Sequence, residues 1–248
     1  MPNRSFLFMR KLIWILAFWL GVLPSVAQRL AWERPLDFAG ALIDVLGYTQ
    51  ILPTGEYLVH GVTSPGVRYP FVMARYQASG TLVRQQMGRT LITLEQSLVP
   101  LGSAGFLLAA SVPDGNLASL FFQRLRPNGD TLPGRRYPNS LLVGYPVRAI
   151  RDGDSVRVLA VDIDQVQITN QVAFVTTDTA GVIGRIRRYA HPAPGTTYAC
   201  DMVRTARGGW LLANEYAPLG SYARPYLQEV DARGRLLRQR QHSLFCQY

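Results

Sequence analysis

The sequence is poor in lysine, cysteine and histidine, and each shortage excludes a class of function. Lys11 is the only lysine among 26 basic residues, and the arginines are spread along the chain without the basic block that marks a nucleic-acid-binding tail. Two cysteines and three histidines, without ligand-like spacing, do not make a zinc site. We therefore predict no nucleic-acid partner and no cofactor, although the formal net charge is +10.

Motifs for catalysis are also missing. The chain has no Gly-x-Ser-x-Gly elbow and no glycine loop of the kind that cradles phosphate. His60 ends an apolar run, while His191 lies in a connection rich in proline and glycine and His242 lies close to the last residue. No histidine stands in a sequence context typical of a base that activates a nucleophile. The sequence predicts no catalytic residue.

The first residues have the three parts of a signal peptide. The cations that precede the apolar part are Arg4, Arg10 and Lys11. The apolar run over 12–23 is about half the twenty residues that a membrane-spanning helix needs, and a proline and small residues follow it. We predict a signal peptide over 1–27 with cleavage before Gln28, which lowers the net charge to +7. A retained anchor is the alternative.

Export sets the expected location and the state of the cysteines. We expect an extracytoplasmic protein, in the periplasm, at the cell surface or secreted, with no stable membrane insertion after cleavage. An oxidising compartment permits a Cys200–Cys246 disulfide, which would hold the C-terminal tail against an earlier strand. Two separate buried thiols are the alternative.

Two landmarks recur four times along the chain at a period of about fifty residues. The first is an apolar strand with equivalent positions Tyr57, Phe106, Val156 and Trp210, which are 49, 50 and 54 residues apart. The second is a hairpin whose turn glycines are Gly80, Gly129, Gly181 and Gly234, which are 49, 52 and 53 residues apart. Matching periods at two separate landmarks indicate a true repeat.

Each copy contains four strand signals separated by turns, so the predicted fold is all-β. Four-stranded units of this length are typical of β-propeller blades, and each blade needs neighbours to bury its two faces. We predict one domain over 28–248, with about four four-stranded blades in a small ring or an open arc. The copies cover about 38–88, 89–138, 139–190 and 191–241. An all-β sandwich is the competing fold.

Two further details bear on the ring and on its origin. The segment Leu30–Asp37 is similar to a fourth strand without a preceding partner, and such a strand often completes the last blade of a closed ring. The runs 55–61 (GEYLVHG) and 231–236 (DARGRL) resemble propeller repeats of exported Bacteroidota proteins. Many of those relatives carry a C-terminal sorting domain, which is not seen after the fourth repeat. The resemblance implies an exported scaffold and names no reaction.

Asp162 and Asp164 are the closest acidic pair that suits metal binding or glycoside chemistry. Positions two apart in a strand point to the same face, and carboxylate oxygens are ligands for calcium. Two carboxylates also perform glycoside hydrolysis. We place the pair in the loop after the second strand of the third copy and keep both residues as weak metal candidates; a solvated pair without a ligand is the alternative.

The sequence favours a non-catalytic propeller that binds a protein or a glycan through loops at one end of the blades. A polysaccharide-acting hydrolase or lyase on the same scaffold is the alternative from the enzyme class. A truncated relic of a longer repeat protein, without a function of its own, is a third possibility.

Overall fold

The computed structural model describes residues 43–52, 54–64, 70–92, 96–115, 117–138, 141, 144–164 and 169–241. All regular structure in these ranges is β-strand, apart from one 3-10 turn at Gly102–Ala104. No helix in these ranges is long and apolar enough to cross a membrane.

Sixteen strands form four antiparallel sheets of four strands each. The first sheet contains β1 (Ile43–Ile51), β2 (Tyr57–Ser64), β3 (Pro70–Tyr76) and β4 (Leu82–Leu91). The second contains β5 (Gln96–Pro100), β6 (Phe106–Asp114), β7 (Leu117–Leu125) and β8 (Thr131–Arg136). The third contains β9 (Gly144–Asp152), β10 (Ser155–Asp164), β11 (Thr169–Asp178) and β12 (Ile183–Tyr189). The fourth contains β13 (Gly195–Arg204), β14 (Trp210–Pro218), β15 (Arg224–Val230) and β16 (Leu236–Gln241).

Every sheet is a meander, in which each strand pairs with the next one along the chain. The hairpin between the third and fourth strands closes with a glycine at positive φ, a conformation that costs a residue with a Cβ about 1 kcal/mol or more. In the last two sheets an aspartate three residues before that glycine caps the turn. Asp178 accepts hydrogen bonds from the backbone N–H groups of Ala180 and Val182, both at 2.8 Å.

Alternating side chains of the second strands join neighbouring sheets. Leu107 and Ala109 of β6 pack with the third sheet, whereas Leu108 and Ala110 pack with the first. The strand β10 repeats this pattern, because its two faces pack against the second and fourth sheets. Three apolar clusters therefore connect the four sheets in chain order, as each blade needs a neighbour to bury its faces. The prediction of an all-β, propeller-type arrangement of four four-stranded blades is confirmed.

The hairpin glycine of each sheet packs closely against a side chain of the preceding sheet. A Cβ built on Gly181 would lie 2.5 Å from the Cβ of Phe122, and one on Gly234 would lie 3.1 Å from Cδ1 of Phe174. Gly129 has the same relation to Met73. Each receiving side chain comes seven residues before the hairpin glycine of its own sheet. The glycine thus allows the approach as well as the turn.

Two tyrosines hydrogen bond across the same contacts. The hydroxyl of Tyr137 donates to the carbonyl of Gly181 (2.8 Å) and accepts from the N–H of Ile183 (3.1 Å). One sheet further on, the Tyr189 hydroxyl donates to the Gly234 carbonyl at 2.5 Å. Burial raises the pKa of Tyr189 far above its ordinary value of 10, so this hydroxyl keeps its proton at neutral pH.

Several sequence expectations lie outside the described residues. They include the signal peptide over 1–27, the strand expected at Leu30–Asp37, His242, and Cys246 of the expected disulfide. These expectations stay predictions.

We predict that Gly181→Ala lowers the free energy of unfolding by about 3 kcal/mol or more. The added Cβ meets Phe122, and the residue is at φ 79°, so steric overlap adds to backbone strain. Chemical denaturation measures the change.

The matched control is Gly153→Ala, in the turn between β9 and β10. Gly153 has φ 63° and no atom within 4 Å of a built Cβ, so only backbone strain of about 1 kcal/mol applies. Equal losses for the two variants would contradict the packing role of Gly181.

His60 is a buried histidine in β2 with none of its surface exposed. Burial lowers the pKa of His60 from 6.5 to about 4, and the neighbouring Gln96 side chain partly offsets that effect. Its ring lies 6.1 Å from that of Phe71, in the cluster between the first two sheets. His60 is therefore a neutral core residue at physiological pH.

We predict that the protein loses stability as the pH falls from 6.5 to 4. In that window the unfolded chain protonates His60 and the folded chain does not, so the loss reaches about 3 kcal/mol at the low end. Urea denaturation at several pH values, for the wild type and for His60→Gln, measures it. Parallel pH curves for the two proteins would contradict this assignment.

Candidate functional site

The first strands of successive sheets lie side by side. The strands β1, β5, β9 and β13 each form the same edge of their sheet, and β5 contacts β1 on one side and β9 on the other, while β9 also contacts β13. In a propeller these inner edges surround the central axis. Two of these inner strands, β9 and β13, carry charged side chains.

Three of these inner strands carry a β-bulge at the same place. The pairing skips Gly47 in β1, Val147 in β9 and Cys200 in β13. A bulge bends a strand and redirects the side chain that follows it, and bulges are frequent beside active sites. The residues that follow two of these bulges are Arg148 and Asp201, which form an ion pair across the two sheets.

A cavity of about 380 Å³ lies between the first three inner strands. Its wall consists of Thr49 from β1, residues 97–100 of β5 and residues 148–151 of β9. The Ser97 hydroxyl accepts a hydrogen bond of 2.9 Å from the Ala149 N–H, and this buried bond fixes β5 to β9. The volume falls at the lower end of the range for small-ligand sites, about 300–1,000 Å³.

Arginines pair with aspartates among β9, β10 and β13, and of these side chains only Arg148 lines the cavity. Asp152 accepts from Arg157 at 3.2 Å and from Arg204 at 2.9 Å, so one carboxylate holds two guanidinium groups. Arg148 lies 3.5 Å from Asp201. Both carboxylates are therefore neutralised by arginines.

Arg151 differs from these arginines. Its Nε donates to the Gly153 carbonyl at 3.0 Å, which orients the guanidinium. In the described part of the chain Arg151 forms no ion pair, and its side chain is exposed at the cavity wall. Nη1 lies 3.7 Å from the position of a Cβ on Gly102, so the guanidinium extends toward the second sheet.

Acid–base hydrolysis of a glycoside needs one protonated carboxyl group beside an ionised one. Among the described residues, the lining of the cavity contains no carboxyl group. Asp152 and Asp201 both pair with arginines and lie outside that lining.

The expected pair Asp162 and Asp164 lies elsewhere. Both belong to the end of β10, so the expectation of a loop was wrong, because the pairing of β10 with β11 extends to Asp164. The Asp162 carboxylate is buried, pairs with Arg188 at 2.6 Å and accepts from Gln171 at 3.3 Å. The side chain of Asp164 lies outside the described part, and a metal role for the pair stays a prediction.

The other singled-out residues lie apart from the cavity wall. Cys200 is exposed at the bulge of β13. His191 stacks on Tyr216, with ring centroids 3.4 Å apart, and meets Tyr226 edge-on. No three histidine, cysteine, aspartate or glutamate side chains of the described residues converge as a metal site would require.

Sequence reasoning missed Arg148, its partner Asp201, and Arg151. Each looks like an ordinary polar interruption of a strand. The available signal was position, since these charges lie on the first strands of the third and fourth repeats.

Comparison with known proteins identifies the type of fold and no activity. No family model matches the chain, and no curated protein matches it. An α-L-arabinofuranosidase from Podospora anserina, solved with cellotriose, has a TM-score of 0.51 and 15% identity, covering 82% of this chain and 69% of its own.

Two further solved structures are similar. A mannose phosphorylase from Leishmania mexicana, solved with a phosphate ion, has a TM-score of 0.52 and 11% identity, covering 85% of this chain and 72% of its own. A hypothetical protein from Leishmania major has a TM-score of 0.51 and 12% identity, with the same coverage of both chains. At these identities the likeness defines a propeller-type fold and assigns no activity.

Proposed function

We propose that this chain is an exported propeller that binds an oligosaccharide in its axial cavity without transforming it. The observation that carries the proposal is a cavity of about 380 Å³ at the meeting of three inner strands, whose described lining contains no carboxylate. Pro100 and Ile150 offer partly exposed apolar surface for a sugar ring, and Thr49 and Arg148 offer polar groups. A few placed polar groups in an apolar wall are typical of small-ligand sites.

The hydrolase or lyase is the second candidate. The solved structures that resemble this chain include an arabinofuranosidase and a mannose phosphorylase, so the fold is compatible with glycan chemistry. We favour binding over hydrolysis because no carboxylate is among the described residues that line the cavity.

We predict that Thr49→Trp abolishes oligosaccharide binding, with at least a tenfold loss of affinity, because the indole fills the cavity. Thr49 is exposed in β1, so the fold tolerates the larger side chain. An oligosaccharide array followed by calorimetry on each hit measures affinity, and product analysis of the same mixtures measures turnover.

The matched control is Thr131→Trp, at an exposed position of the outer strand β8. It retains wild-type binding. If the wild type converts a bound oligosaccharide and Asp152→Asn does not, the enzyme alternative is correct. Equal affinity of both tryptophan variants for the oligosaccharide would contradict the axial site.

Export is part of the proposal and has its own test. The basic residues before the apolar run and the small residues after it support cleavage before Gln28. Mass spectrometry of protein from the native cells is expected to find a mature N-terminus at Gln28. A chain that begins at Met1 would contradict export by a cleaved signal peptide.

A further inference from the structure

We infer that the ligand of the axial cavity carries a carboxylate, as in a uronic-acid oligosaccharide, and that Arg151 binds it. This inference rests on the proposed function, since it names the chemical class of the ligand at that same site. The observation behind it is an exposed guanidinium at the cavity wall whose charge no acid of the described residues neutralises.

The wall of the cavity carries an uncompensated positive charge. Of the charged side chains only Arg148 and Arg151 line it, and Arg148 pairs with Asp201. Arg151 supplies a charge that no ion pair of the described residues offsets. An anionic group therefore gains Coulomb energy on entering, and a partly enclosed wall weakens screening by salt.

The geometry of Arg151 favours a planar oxyanion. The bond from Nε to the Gly153 carbonyl leaves the two terminal nitrogens to bind one carboxylate. Arginine binds carboxylates through two parallel N–H···O bonds, which are stronger than bonds between neutral groups. Gly102 brings no side chain against Nη1, so a ligand has room beside it.

The cavity wall also fits the rest of a sugar. Pro100 and Ile150, both partly exposed, supply apolar surface, and Thr49 supplies a hydroxyl. An isolated phosphate ion needs the cations and makes no use of the apolar wall. The combination favours an acidic saccharide over a free ion.

The test measures binding of trigalacturonate, cellotriose and inorganic phosphate to the wild-type protein by calorimetry. We expect trigalacturonate to bind at least tenfold more tightly than cellotriose, and its affinity to fall as salt rises. Arg151→Gln is expected to weaken trigalacturonate binding at least tenfold, and Arg151→Lys to recover only part of it, because lysine keeps the charge and lacks the planar pair of donors.

The control is Arg235→Gln, at an exposed position in the outer hairpin of the fourth sheet, which keeps wild-type affinity. If cellotriose and trigalacturonate bind with equal affinity, and Arg151→Gln leaves both affinities unchanged, the acidic ligand is overturned. That result is still compatible with binding of a neutral saccharide in the axial cavity. Phosphate that binds as tightly as trigalacturonate and competes with it would overturn the sugar acid in favour of a free oxyanion. Binding that Thr49→Trp leaves intact would overturn the site itself.

Discussion

The rest of the structure depends on one contact, in which each hairpin glycine packs against a side chain of the preceding sheet. Gly181 lies on Phe122 at a distance that a Cβ does not allow, and Gly234 lies on Phe174 at a distance that a Cβ would make tight. A four-stranded sheet of this size cannot bury two apolar faces alone, so its stability comes from its neighbours. The distance between neighbouring sheets is therefore set at their outer hairpins by the absence of one side chain.

The outer contact also determines the geometry at the axis. The second and third sheets are joined at the outer side by Tyr137 and at the inner side by the bond between Ser97 and the Ala149 N–H. With both edges of the pair fixed, β5 and β9 keep a constant separation, and the cavity between them keeps its volume. A rigid wall lowers the entropy cost of binding, because few groups must be ordered by the ligand.

The four sheets could be predicted from the repeat in the sequence, whereas the contacts between the sheets could not. Two landmarks at matching periods place every hairpin glycine, and each recurs at the predicted turn with positive φ. The tyrosine contacts had a weak signal in the Arg-Arg-Tyr runs that end at Tyr137 and Tyr189, each eight residues after a hairpin glycine. The pairing of Asp162 with Arg188 joins residues 26 positions apart, and only the register of three strands brings them together.

The aspartates at the axis are best understood as supports for the arginines. Asp152 holds Arg157 and Arg204 together, and Asp201 lies against Arg148, so these long side chains lose their freedom when the protein folds. A ligand that arrives later does not bear that cost. Arg151 is held by a carbonyl instead, which orients its guanidinium without neutralising it. In the proposed site, Asp201 orders Arg148, and Arg151 supplies the positive charge for recognition of the ligand.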